Sequence, residues 1–371
     1  MKTKMDQQSK EKAEGKVGLV NLGNTCFLNA AIQSLRYCTP LTNYFLTNSY
    51  ESQLKQSRPT ASLVEETADV FKGMWNSEVK AKASMAPRGF IASASRIASN
   101  TITYNHVFSG GQSDSSEVLL FLLDSIHEAV SRQVKMDVVG NPKTHNDIHH
   151  IKSLQAWSDF YAKGYSPVIE NFFGQTMTAT ICRCCKNKNT RFEPWMMMKA
   201  PIASVSQGNP SLSACIDKLF DSEVLDEYQC DNCEKSDPKN YKRGPADLEH
   251  TISKLPPILI VQLNRFDNNN NKINTKVDID INKEDFAKWL SFPAVSKHIS
   301  TEYSLFAAIE HHGGSRGGHY VSYAKHDDNW ILYDDTSINS VSESNLINNN
   351  TYILFLTRNK YSSPQPIVSK D

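Results

Sequence analysis

The chain has 371 residues, and 40 Lys and Arg balance 40 Asp and Glu, so the formal net charge is zero and no global field favours nucleic acid or an anionic membrane. Hydrophobic residues make up 39%, and no apolar run approaches the roughly 20 residues of a membrane span. The length allows roughly two domains, or one domain with a large insertion.

Residues 1–16 are polar and lysine-rich, with no signal-type hydrophobic segment. They read as a disordered head on an intracellular protein of the cytoplasm or nucleus. A Gly- and Asn-rich stretch, Gly18 to Asn29, then runs through Cys26 into a helical pattern. Phe27, Leu28, Ala31, Ile32 and Leu35 recur at helical spacing, so one face of residues 27–37 is expected to be buried. Asn24 or Thr25 can cap the helix start. Cys26 then meets the unpartnered N–H groups and the positive end of the helix dipole, which favour a thiolate. Taken alone, a free cysteine is more often an inert core residue.

Two more amphipathic helices follow. One carries Leu63, Thr67, Val70, Phe71, Met74 and Trp75. The other carries Val118, Leu119, Phe121, Leu122, Leu123, Ile126 and Val130 after a Ser113–Glu117 start signal. Residues 135–150, with His145, His149 and His150, read as a solvated loop rather than a metal site. From Phe172 the texture becomes β: short runs at 175–181, 190–195, 258–266, 303–310, 319–325, 330–333 and 352–356. The asparagine runs 268–271 and 348–350 read as surface loops.

Five of the eight cysteines cluster at Cys182, Cys184, Cys185, Cys230 and Cys233. This is not the scatter of a disulfide framework. Cys182-x-x-Cys185 and Cys230-x-x-Cys233 present two sulfur pairs, the pattern of a closed, structural tetrahedral Zn²⁺ site in a segment too small for a good core. Cys184 is an alternative ligand. A redox pair would want a βαβ context that the pattern lacks.

Residues 313–335 contain a glycine loop, His319, a turn at 326–329 and a return strand ending in Asp334 and Asp335. Across an antiparallel hairpin a carboxylate can hold the imidazole, leaving its other nitrogen for a nucleophile. A lone strand histidine is more often structural.

Together these stretches resemble the ubiquitin-specific protease family. Gly18 to Asn29 is similar to its cysteine box. Gly317 to Tyr323, with Trp330 and Tyr333-Asp334-Asp335, is similar to its histidine box. Between them lie Asp114-x-x-Glu117, Phe173-Gly174-Gln175, Tyr228 ahead of the second cysteine pair, Leu255-Pro256-Pro257 and Leu263-x-Arg265-Phe266. The chain departs from the family's usual pattern at Ser113 and Asn264, neither a proposed catalytic position.

The resemblance implies an α+β, papain-like cysteine peptidase over residues 17–358. Its thumb would span about 17–165, its zinc-ribbon-like fingers about 175–255, and its palm 166–174 with 256–358, followed by a tail at 359–371. No additional ubiquitin-like or targeting domain is expected. The implied reaction is cleavage after the C-terminal glycine of ubiquitin. Cys26 would be nucleophile, His319 base, Asp334 its orienting carboxylate and Asp335 a secondary one, with Asn21 an oxyanion donor. Zinc would be bound by Cys182, Cys185, Cys230 and Cys233, and no cofactor would enter the chemistry. Ubiquitin and ubiquitinated proteins would be the partners of a monomer that binds neither nucleic acid nor membrane. The alternatives are a silent ubiquitin-binding scaffold and a zinc-ribbon nucleic-acid module, the latter disfavoured by the neutral charge.

Overall fold

The computed structural model describes residues 16–76, 83–108, 111–292, 299–315 and 317–359. Apart from Lys16, the head expected to be disordered lies outside them, as does the tail beyond residue 359.

The helical periodicity of the first half forms α1 (Cys26–Leu35), α2 (Thr39–Leu46), α3 (Ala61–Trp75), α4 (Arg88–Ser99), α5 (Ser115–Val130), α6 (His145–Tyr161) and α7 (Pro167–Phe172). Two short strands, β1 (Gly18–Leu19) and β2 (Ser84–Met85), pair in parallel. Helix α5 starts where the sequence signalled, with the Asp114 side chain accepting from the Ser116 N–H.

Helix α1 differs from expectation, because all ten of its residues are buried rather than one face. The reason is its position, packed between α5 and the face of a large sheet. Its capping also differs: Thr25 makes no side-chain cap bond to the helix, and its hydroxyl instead accepts from the Leu22 N–H. The polar segment read as a loop is helical from His145. A capping box between Thr144 and Asp147 starts α6, and Trp157 and Tyr161 anchor it on Ile169.

The second half forms β3 (Gly174–Cys182), β4 (Lys188–Trp195), β5 (Met197–Pro201), α8 (Leu212–Leu219), β6 (Glu223–Tyr228), α9 (Asp231–Ser236), β7 (Gly244–Lys254) and β8 (Ile258–Asn264). Then come β9 (Glu284–Asp285), β10 (Glu302–Gly314), β11 (Gly317–His326), β12 (Asn329–Asp334), β13 (Ser337–Val341) and β14 (Thr351–Arg358). Every run read as β meets one of these strands, although 258–266 extends two residues beyond the end of β8. Strands β5, β6, β7 and β13 have no clear signal in the sequence, because polar residues, methionines or a proline interrupt their alternation.

The large sheet runs β13-β12-β11-β10-β14-β8-β5, with β9 beside β10. Its period-2 alternation feeds two cores. Ile258, Ile260, Ile353 and Phe355 face the helices, whereas Leu259, Val261, Leu354 and Leu356 face a second core with α8. Burying each such side chain contributes about 1.5–3 kcal/mol. A separate four-stranded sheet, β4-β3-β7-β6, carries the cysteine pairs at its far end.

Candidate active site

The turn before Cys26 is built by residues that accept unusual backbone angles. Gly23 (φ 105°) and Asn24 (φ 53°) occupy the left-handed region, which glycine and asparagine tolerate. The chain thereby folds back on Asn21. The Asn21 Oδ1 accepts from the backbone N–H groups of Gly23 and Thr25, both at 3.1 Å. Cys26 follows as the first residue of α1, buried, with the backbone N–H of Tyr320 in β11 near enough to favour its thiolate.

The opposite wall is the β11–β12 hairpin, in register from Ser322↔Tyr333 to His326↔Asn329. It brings His319 Nε2 to 2.6 Å from Asp334 Oδ1. A carboxylate only accepts, so Nε2–H donates and Nδ1 is the nitrogen left for other chemistry. Asp335 follows with φ 50° in the turn to β13.

Asp335 ties the two walls together. Its Oδ2 accepts from Asn21 Nδ2 at 2.9 Å, its Oδ1 from Asn29 Nδ2 at 2.7 Å, and its carbonyl from the Leu19 N–H at 2.9 Å. A Cβ at Gly18 would come within 2.8 Å of the Asp335 and Thr336 carbonyls, so only glycine allows this approach. The structure therefore brings Asn21, Cys26, His319, Asp334 and Asp335 to one junction between α1 and the sheet.

Burial pushes the Cys26 thiol above its ordinary value, and the Asp335 charge adds to the rise, outweighing the N–H groups around the sulfur. The thiolate expected from the helix start alone is thus not favoured, because desolvation opposes the charged form.

Two residues near the junction were given no role from sequence. Asn29 is a polar side chain inside a wholly buried helix, and that alone signals a required partner. Gln112 joins the Gly318 backbone, and nothing local in the sequence marks it. Behind the junction, Asp114 Oδ2 accepts from the Tyr352 hydroxyl, which accepts from Gln262 Nε2. Arg265 is buried and donates to the carbonyls of Thr351, Ile273 and Thr275.

The cysteine pairs also converge. The Sγ atoms of Cys182 and Cys233 are 3.7 Å apart, and those of Cys185 and Cys230 are 3.5 Å apart. All four lie within 4.8 Å of one another. A tetrahedral site with metal–sulfur bonds of about 2.3 Å requires sulfurs about 3.8 Å apart. The four thiols therefore fit a closed structural metal site. Cys184 is exposed and outside this group. No helix among the described residues is long and apolar enough to cross a membrane.

Residues 17–356 match the family described as ubiquitin carboxyl-terminal hydrolase. The chain is 29% identical over 352 residues to ubiquitin carboxyl-terminal hydrolase Usp2 of Drosophila melanogaster, covering 94% of this chain and 35% of that protein. It is 29% identical over 363 residues to human ubiquitin carboxyl-terminal hydrolase 2, covering 94% and 56%. The chain thus spans about a third to just over half the length of these relatives. Its fold is similar to the solved SAGA Ubp8/Sgf11/Sus1/Sgf73 DUB module bound to ubiquitin aldehyde, with a TM-score of 0.72 at 20% identity over 97% of this chain and 73% of that one. That protein sits in a multi-subunit assembly, so the likeness lends no support to the monomer expected from sequence.

Proposed function

The chain belongs to the ubiquitin carboxyl-terminal hydrolase family, and on that premise we propose that it is a cysteine-type deubiquitinase. Its α+β fold is that of thumb, fingers and palm, and we divide it near residues 165–175 and 255. The observation that carries the reading is the packing of α1, with Cys26 buried at its start, against β11, whose hairpin carries the His319–Asp334 pair.

In this reading His319 takes the Cys26 proton and the sulfur attacks the carbonyl of ubiquitin's last glycine. The Cys26 backbone N–H and the second N–H of the Asn21 amide stabilise the oxyanion, since the bond to Asp335 uses only one. His319 returns the proton to the leaving lysine amine. Water then attacks the thioester, releasing ubiquitin's carboxylate and restoring the thiol. Asp334 holds the imidazole throughout. The four-sulfur site takes Zn²⁺, which holds the end of the small sheet together and stands outside the reaction.

Ubiquitin bearing a C-terminal electrophile tests the reading. Wild-type protein is expected to form a covalent adduct and Cys26→Ala none. Tight binding of ubiquitin by folded wild-type protein, with no adduct and no turnover, would replace this reading with the silent scaffold.

A further inference from the structure

The edge of β11 beside His319 is unusual. Strand β12 joins β11 only from Ser322 onward, so among the described residues the stretch before it has no strand on that side. Along a strand, the backbone groups of residues i and i+2 point the same way. The Tyr320 N–H lies on the side of the Cys26 thiol, and Ser115, three residues after Gln112, donates to the Phe27 carbonyl next to Cys26, so the Gly318 N–H and C=O that meet Gln112 face the Cys26 side as well. They are not left bare. The Gly318 N–H donates to Gln112 Oε1, and Gln112 Nε2 donates to the Gly318 carbonyl. Gln112 is exposed and reaches across from the segment before α5.

One carboxamide that engages both backbone groups of one residue does what a peptide unit of a neighbouring strand does. It sits two residues from the thiol's backbone contact, roughly 6.6 Å along the strand. Gly318 cannot withdraw on its other side, where even a Cβ would come within 2.2 Å of the His312 carbonyl and 2.6 Å of His311 Nε2.

We infer that the edge of β11 at Gly318 is a subsite that reads extended backbone, and that the Gln112 carboxamide fills it in the free protein by imitating a peptide unit of the substrate. The ligand is an extended peptide unit carrying both N–H and C=O, about two residues from the carbonyl attacked at Cys26. A proline or N-methyl residue placed there lacks the donor. The inference rests on the deubiquitinase reading, in which that chain is ubiquitin's C-terminal tail. Substrate binding exchanges two internal hydrogen bonds for two to the substrate, so Gln112 competes with the tail.

Hydrogen exchange of the Gly318 amide tests this in free protein and in the adduct with electrophile-bearing ubiquitin, for wild type and Gln112→Ala. In free Gln112→Ala the amide is expected to exchange at least about tenfold faster than in wild type. In the adduct of Gln112→Ala it is expected to slow again by about as much, because the tail takes the edge. Adduct formation by Gln112→Ala is expected to be at least about threefold faster than by wild type. An adduct in which the Gly318 amide still exchanges as in free Gln112→Ala overturns the inference and leaves the deubiquitinase reading intact. Slower adduct formation overturns it too, because Gln112 would then position His319 rather than compete. No adduct from folded wild type removes both. Gln112→Met, which keeps the side-chain length, gives the same readings should the alanine variant fail to fold.

Discussion

Asn21 and Asp335 lie 314 positions apart in the chain, and the Asn21 side-chain nitrogen donates to Asp335 Oδ2 at 2.9 Å. The other oxygen of that carboxylate holds Asn29, three residues beyond Cys26. One side chain of the hairpin thus orients the turn before the nucleophile and the helix that bears it.

Asn21→Ala is expected to lower kcat by about 100- to 1,000-fold, the usual cost of one oxyanion donor. Asp335→Ala should lower kcat at least about tenfold with little change in KM, because it acts through Asn21 and Asn29. The two losses should not multiply in the double variant, leaving a coupling of about 1–2 kcal/mol in a double-mutant cycle. Strict additivity in steady-state kinetics would show that the Asn21–Asp335 bond does not serve the reaction.

Burial, and then the Asp335 charge, raise the Cys26 thiol above its ordinary value. A raised thiol pKa means less thiolate at neutral pH, so alkylation in a His319→Ala background should rise with pH to a midpoint above that of a free cysteine. Adding Asp335→Asn removes a negative neighbour and should move that midpoint down. Rates of iodoacetamide labelling against pH give both values, and an upward shift would contradict the electrostatic account.

Asp334 and Asp335 each place a carboxylate oxygen within 4.8 Å of a ring nitrogen of His319, but only Asp334 bonds the imidazole. Asp334→Asn should reduce kcat by about 10²- to 10⁴-fold, since the amide no longer fixes the tautomer. If Asp335 partly substitutes, Asp334→Ala will retain more activity than Asp334→Ala with Asp335→Ala. Equal residual kcat in single and double variants would assign Asp335 no share of that role.

Purified protein should carry about one Zn²⁺, and chelation should lower its Tm. Cys182→Ser, Cys185→Ser, Cys230→Ser and Cys233→Ser should each lose the metal, whereas Cys184→Ser should keep it, because Cys184 lies outside the sulfur cluster. Elemental analysis of the five variants decides this, and metal loss on Cys184→Ser would reassign the fourth ligand.

Arg36, at the end of α1, is fully buried, and its two terminal nitrogens have no hydrogen-bond partner among the described residues. The guanidinium lies 4.6 Å from the Tyr37 ring centre, 4.8 Å from that of Tyr333 and 5.4 Å from that of Trp75. Ring faces partly offset the cost of burying its charge. Arg36→Met, which keeps much of the volume, should therefore change unfolding free energy by less than about 1.5 kcal/mol, whereas Arg36→Ala should cost about 2–5 kcal/mol through the cavity it leaves. Urea melts of the two variants provide the comparison, and a methionine variant as unstable as the alanine one would mean that the charge itself is required.

Much of this protein is written locally. The helix after Cys26, the Asp114 start of α5, the β11–β12 hairpin and both Cys-x-x-Cys turns follow from short-range periodicity, capping and turn chemistry, which depend on neighbours a few residues away. Strands such as β7 escaped because mixed polar residues hide an alternation that only sheet pairing enforces. The state of the Cys26 thiol was decided by burial, which depends on everything packed around α1 and cannot be read from a helix start. The same holds for Asp335 holding Asn21 and Asn29, and for Gln112 on the edge of Gly318. These contacts join residues 206 to 314 positions apart. Their partners are chosen by how the large sheet and α1 meet, and no local pattern encodes that.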